Sequence, residues 1–176
     1  LLNVGSTFVG TMENCSKLLR EMVEGTEPMD TAAKRIVAEH RATRKHLPGF
    51  GHHLHKPDDP RTPKLFEIAR ANGVRGDYIR AIEVLSQAVD DSFGKHMTIN
   101  ATGGTAAVLS EIGIPPEIMR GFAVIARAAG LVAHIAEERD VPTARAIWDL
   151  VEEEIPYAGN ALVDIQDDGG NDGGDD

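Results

Sequence analysis

Apolar residues in this chain recur at three- and four-residue spacing in segment after segment, and that period commits the backbone to helices. Residues 9–24 carry Met12, Cys15, Leu18, Leu19, Met22 and Val23 in this register. Asp30 is placed to cap a second helix, with Ala33, Ile36, Val37 and His40 on one face, ending before Pro48-Gly49. Thr62 reads as the cap of a third, with Pro63 at its first position, Leu65, Phe66, Ile68 and Ala69 inside, and Asn72-Gly73 closing it. Asp77 opens a fourth, with Tyr78, Ile79, Ile82, Leu85 and Val89 as its buried set. A break is expected over 100–104, followed by a short apolar helix through Ala106, Ala107, Val108, Leu109 and Ile112. Ile114-Pro115-Pro116 leads into a long helix, apolar on nearly all sides from Phe122 to Ile135, as befits a helix buried in a core or between subunits. Thr143 is the expected cap of the last helix, which holds Ile147, Trp148, Leu150 and Val151. No segment reads as a strand and no internal repeat is visible, so the fold class is all-α.

At 176 residues the chain is long enough for one domain with a core, or two small lobes. Its 41% apolar and 26% charged residues are those of a soluble globular protein, with no expected membrane partner, and no apolar run is expected to approach the roughly 20 residues of a bilayer span. A net charge of −10 argues against nonspecific nucleic-acid binding, which needs Lys and Arg to neutralise phosphates. Much of that charge lies in Asp164, Asp167, Asp168, Asp172, Asp175 and Asp176, among glycines, so residues 159–176 are expected to be a disordered acidic tail. The single cysteine, Cys15, cannot close an internal disulfide; it reads as a buried helical thiol and fits a cytoplasmic location. The sequence opens on Leu1 and nothing at that start reads as a signal peptide; further residues, including any targeting segment, are expected upstream.

The chemistry is concentrated between Leu47 and Arg61, a proline- and glycine-flanked loop carrying His52, His53, His55, Lys56 and Arg61. Three imidazoles in one loop are potential transition-metal ligands, but no cysteine or carboxylate spacing completes a set, so no functional metal is expected. Asp58 and Asp59 read as turn and capping groups, and His40 and His46 as members of a solvated helix face. His134 reads as a hydrogen-bonded core histidine, and Arg127, inside an apolar helix, as a buried cation that must be paired.

Pro48-Gly49-Phe50-Gly51-His52, followed by Lys56, Asp59-Pro60 and Arg61, resembles the active-site loop of the citrate synthase superfamily. The run Gly113-Ile114-Pro115-Pro116, leading to Ile125 through His134, resembles the same family's second block, and the wording of both is nearest to the citryl-CoA lyase-like branch. The resemblance spans roughly residues 1–158. It implies a citrate synthase-like fold: residues 1–10 as the end of a large-domain segment, 11–110 as the small domain with the active-site loop, and 111–158 as returning large-domain helices. It also implies a homodimer whose site lies between domains.

By this resemblance His52 hydrogen-bonds the ketone or hydroxyl oxygen of the small substrate, while Arg61 and Arg127 pair with its carboxylates through two-point charge-assisted bonds. Pro48, Gly49, Phe50 and Gly51 would lie against coenzyme A, and Lys56 or Lys95 would meet its phosphates. The family pattern is interrupted at two places. Phe8 stands where the first family histidine would be, and Asn100-Ala101-Thr102 puts a hydroxyl where the family has its catalytic aspartate. Thr102 is not a base at neutral pH; it is left to orient water or the thioester, or to cap the next helix. In the cleavage direction His52 is the candidate base for the tertiary hydroxyl. The resemblance thus implies an acyl-CoA carbon–carbon lyase, releasing acetyl-CoA and oxaloacetate from citryl-CoA, with an acyl-CoA and a 2-oxo acid as its small-molecule partners. A condensing acyltransferase of the citrate synthase type, and a non-catalytic paralogue that binds coenzyme A esters, are the alternatives.

Overall fold

A computed structural model describes residues 6–155, with side chains from residue 10 onward. The acidic tail and the side chain of Phe8 lie outside the described residues. The described chain is helical, in the order α1 (Ser6–Glu24), α2 (Met29–Ala42), α3 (Arg61–Ala71), α4 (Asp77–Phe93), α5 (Ala101–Glu111), a 3₁₀ turn (Pro116–Ile118), α6 (Arg120–Asp140) and α7 (Ala144–Glu154). Among the described residues the sole strand-like pairing is an isolated antiparallel bridge between Phe50 and Ile99.

The described residues divide into two compact units, 6–129 and 130–155. In the first, α5 is central: α1, α3 and α4 pack on it, and α2 packs on α4. The core is built by Leu19, Ile36, Phe50, Ile79, Ile82, Leu85, Val89 and Met119, all fully buried. Each such side chain contributes about 1.5–3 kcal/mol of transfer free energy. The sequence of α5 explains its position. Ala101 through Ala107 has no side chain larger than threonine, so neighbouring backbones come close. The expected break over 100–104 is therefore a correction. Asn100 caps α5 by accepting from the Gly103 N–H at 3.0 Å, and Gly103 and Gly104 are helical and buried. Their cost in helix propensity is offset by packing: a Cβ on Gly103 would lie 2.5 Å from the Gly49 carbonyl oxygen, and one on Gly104 3.0 Å from Thr62.

Other caps differ from expectation because partners distant in sequence supply them. Asp30 lies in the first turn of α2 behind Pro28, without a side-chain cap bond. Thr62 is inside α3, whose cap is Pro60, and its hydroxyl donates to the Ile99 carbonyl at 2.9 Å. The start of α4 is held by Glu111 at the end of α5, which accepts from the N–H groups of Gly76, Tyr78 and Ile79. Asn72 ends α3 as expected, with Gly73 in the left-handed region.

In the second unit Glu138 performs the capping expected of Thr143. It accepts from the N–H groups of Thr143 and Ala144 and from the Thr143 hydroxyl. Ile147, Trp148, Leu150 and Val151 of α7 are exposed. No residue of α6 is buried, so the apolar run expected to be covered is not covered among the described residues. The stretch Pro116–Asp140, 25 residues, is long and apolar enough to cross a membrane by length and composition alone. That corrects the expectation that no run approaches such a length.

Candidate active site

The loop between α2 and α3 is fastened along the segment that leads into α5. Gly51 N–H donates to the Thr98 carbonyl at 2.8 Å, Asn100 N–H to the Gly49 carbonyl at 3.0 Å, and the Asn100 side chain to the Gly51 carbonyl at 3.0 Å. The Thr98 hydroxyl donates to the carbonyls of His55 and Pro57. Phe50, fully buried, pins the loop to the core. Its ring is a packing anchor. Gly49 has φ +91°, and a Cβ there would lie 2.7 Å from the Cys15 sulfur. Its freedom is used for close approach to α1 and α5. Pro48 and Gly51 are half-buried, and Gly51 has no atom nearer than 3.9 Å to a would-be Cβ. Cys15 is wholly buried as expected, and burial pushes its thiol up to about 12.

His52 emerges just beyond this anchor. Its Nδ1 accepts from the backbone N–H of Leu54 at 3.1 Å and of His55 at 3.0 Å. Two donors on Nδ1 place the ring proton on Nε2, so His52 presents an N–H. Burial, followed by the neighbouring His55 and His53, lowers its pKa, which favours the neutral ring. His53 stacks on it, centroids 4.8 Å apart, and His55 lies against it at 4.4 Å. The geometry suits a hydrogen-bond donor to a substrate oxygen. It does not suit the base role expected for His52, because no lone pair is free.

Asp59, expected as a turn and capping group, does accept the first N–H groups of α3 and α5, and its pairing with Arg61 is what the sequence reading missed. It is 1% exposed, yet its carboxylate organises the site. Oδ1 accepts from the Arg61 backbone N–H at 3.1 Å and from Nε at 2.9 Å, while Oδ2 accepts from Nη2 at 2.7 Å and from the Ala101 N–H at 2.9 Å. The Arg61 side chain holds this carboxyl well below the usual carboxylate range. Asp59 thus fixes the starts of α3 and α5 together and aims Arg61, half of whose side chain remains in solvent. The spacing Asp59-Pro60-Arg61 was the available signal: an acid two residues before an arginine, across a proline, at a helix start.

Ligand atoms of His52, His55 and Asp59 lie within 4.8 Å of one another. This is a poor metal site, because both carboxylate oxygens are committed and a guanidinium stands beside them. Thr102 is in the first turn of α5, half-buried, and Asn100 is the cap, which removes the capping role considered for Thr102. Lys56 and Lys95 are exposed. Arg127 is exposed on α6 and makes no hydrogen bond or ion pair among the described residues, so it is not the buried cation expected. His134 is exposed and contacts Glu137 at 2.7 Å rather than filling a core. His46 is exposed, while His40 is half-buried with Nδ1 2.9 Å from the Ile36 carbonyl. The structure therefore brings together His52, His55, Asp59 and Arg61. Beside the loop is a pocket of about 440 Å³, floored by Val37, Leu47, Val89 and Met97 and edged by Arg44 and Lys45.

The family described as citrate synthase, C-terminal domain, matches residues 5–148. The 2-methylcitrate synthase 2 of Corynebacterium glutamicum is 32% identical over 93 residues, which are 51% of this chain and 24% of that protein. The structure of citryl-CoA lyase from Hydrogenobacter thermophilus matches with a TM-score of 0.75 at 32% identity, over 90% of this chain and 60% of that one. ATP citrate lyase from Methanothrix soehngenii, in complex with citrate and coenzyme A, shares the fold: TM-score 0.68, 21% identity, 94% of this chain and 28% of that one. The chain thus spans 24% of the curated relative's length and 60% of the citryl-CoA lyase chain.

Proposed function

The chain belongs to the citrate synthase family, and on that premise we propose that it forms the catalytic part of an acyl-CoA carbon–carbon lyase that cleaves citryl-CoA to acetyl-CoA and oxaloacetate. The observation that carries this reading is the doubly accepting Nδ1 of His52, which leaves Nε2–H as a fixed donor at the loop surface. A donor there binds the tertiary hydroxyl and stabilises the alkoxide and ketone oxygen that follow from it. The donors of Arg61 not used by Asp59 serve a substrate carboxylate, and Arg127 serves a second one. Coenzyme A lies along the loop at Pro48 and Gly51, its nucleotide in the pocket edged by Arg44 and Lys45. The apolar floor accepts the adenine, and those cations, with Lys56 and Lys95, accept phosphates.

Likeness to citryl-CoA lyase supports the cleavage direction. Likeness to a 2-methylcitrate synthase supports the reverse condensation as the second reading. Thr102, a hydroxyl at the family's carboxylate position, favours a third: a paralogue that binds coenzyme A esters without turning them over. We place the protein in the cytoplasm as a homodimer, in which the exposed apolar residues of α6 and α7 are covered. The deciding experiment is an assay of the full-length protein with citryl-CoA, and with acetyl-CoA plus oxaloacetate. Release of acetyl-CoA that falls about 10²–10³-fold in His52→Ala supports the lyase. Binding of acyl-CoA by calorimetry with no turnover in either direction leaves the non-catalytic reading.

A further inference from the structure

We infer that the imidazole of His55 is the proton carrier of this site, supplying the base that Thr102 does not. The inference rests on the lyase reading above. The neighbouring groups exclude themselves one by one. His52 has its acceptor nitrogen occupied by two backbone donors. Both oxygens of Asp59 are committed. Arg61 is permanently charged. Thr102 is a hydroxyl, and His53 is exposed and stacked flat on His52, at 11°.

His55 differs from all of these. Its ring is half-buried, with its centroid 4.4 Å from that of His52. One of its nitrogens lies within 4.8 Å of both a His52 nitrogen and an Asp59 oxygen. Neither of its ring nitrogens hydrogen-bonds to another described residue, so a lone pair is free. Asp59 in turn accepts from Ala101, the residue before Thr102. His55 therefore stands beside the oxygen-binding histidine and beside the carboxylate on which the first turn of α5 rests. The charged and titratable groups that act on the adjoining His52 are His53, His55, Asp59 and Arg61, and the Asp59 carboxylate is close to any imidazolium that forms at His55.

In cleavage, the His55 lone pair takes the proton of the tertiary hydroxyl. The carbon–carbon bond then breaks. The alkoxide oxygen becomes the ketone oxygen, held by the His52 N–H, and the bonding pair passes into the thioester as an enolate. The His55 imidazolium returns its proton to the enolate carbon, giving the acetyl thioester and a neutral ring. No net proton is gained and no further reactant is needed.

His55→Gln isolates the ring, because the backbone N–H that donates to His52 and the carbonyl that accepts from Thr98 both remain. With the full-length protein, exchange of the acetyl-CoA methyl protons with D2O is followed by NMR, with a hydroxydicarboxylate in the oxo-acid site, alongside citryl-CoA cleavage. The expected result is a fall of about 10²–10⁴-fold in exchange in His55→Gln, with acyl-CoA binding retained. Adding Thr102→Asp, which restores a carboxylate base, should recover about tenfold or more of the exchange. Unchanged exchange in His55→Gln, a loss that Thr102→Asp does not recover, or no exchange in the wild type would overturn the inference. Exchange without citryl-CoA cleavage would remove the lyase reading and keep His55 as the base. Cleavage unaffected by His55→Gln would do the reverse.

Discussion

Asp59 and Arg61 form a two-point ion pair, Oδ1 with Nε at 2.9 Å and Oδ2 with Nη2 at 2.7 Å, in which the acid is wholly buried and the base half in solvent. The same carboxylate receives the N–H that opens α5. One side chain thereby fixes the register of the histidine loop against two helices, and removing it should be felt in both stability and site geometry.

Asp59→Ala is expected to lower stability by about 2 kcal/mol, less than the roughly 3–5 kcal/mol of a fully buried pair because Arg61 is solvated. The dependence on pH has a definite sign. The folded-state pKa of Asp59 is depressed, chiefly by the Arg61 side chain, so its stabilisation is present above the unfolded carboxyl value of about 4 and is lost as pH falls below it. Urea midpoints of wild type and Asp59→Asn should differ at neutral pH and converge in acid.

His96 carries the opposite sign. Its Nδ1 lies 2.6 Å from Asp90 of α4 and its Nε2 3.0 Å from Asp58 of the loop, and Asp90 first, then Asp58, raises its pKa. Stabilisation from a raised pKa is complete below the unfolded value and fades as pH rises through the folded one. The protection factors of the loop amides, taken against the base-catalysed intrinsic exchange rate, should therefore fall above neutral pH in the wild type. His96→Gln should show the lower protection throughout, with no such fall.

Gly103→Ala tests the packing of α5 against the loop. Alanine gains about 1 kcal/mol of helix propensity. The new Cβ would lie 2.5 Å from the Gly49 carbonyl oxygen and 2.9 Å from its Cα, both backbone, so overpacking of about 1–3 kcal/mol outweighs the gain. A lowered melting temperature is expected. Gly121→Ala, on α6 with nothing within 4 Å, is the control and should leave the melting temperature level or raise it.

Glu111→Ala removes the acceptor shared by the N–H groups of Gly76, Tyr78 and Ile79 at the start of α4. A loss of about 1–2 kcal/mol is expected, the size of a helix cap with its dipole interaction. Chemical denaturation measures it. Retention of half or more of that stability in Glu111→Gln would mark the hydrogen bonds, rather than the charge, as the larger part.

The helices around Leu19, Ile36, Ile82 and Leu85 were legible because each alone satisfies a 3.6-residue period. The start of α5 was not. Gly103-Gly104 reads as a break locally and becomes helix because Gly49 and Thr62 press on it from segments far away in sequence. The same holds for Asp59. As a residue type before Pro60 it signals a turn, and only burial beside Arg61 and the Ala101 N–H makes it the organiser of the site.

What the sequence determined by itself was the all-helical class, the placement of chemistry in the 47–61 loop, and the resemblance carried by its wording. These depend on local periodicity and on the order of residue types. Tertiary structure alone decided which nitrogen of His52 carries the proton, which acid holds Arg61, and that Arg127 is exposed. Proton placement follows from which donors converge on a ring, and burial follows from which surfaces meet. Both are properties of neighbours in space that a linear order does not contain.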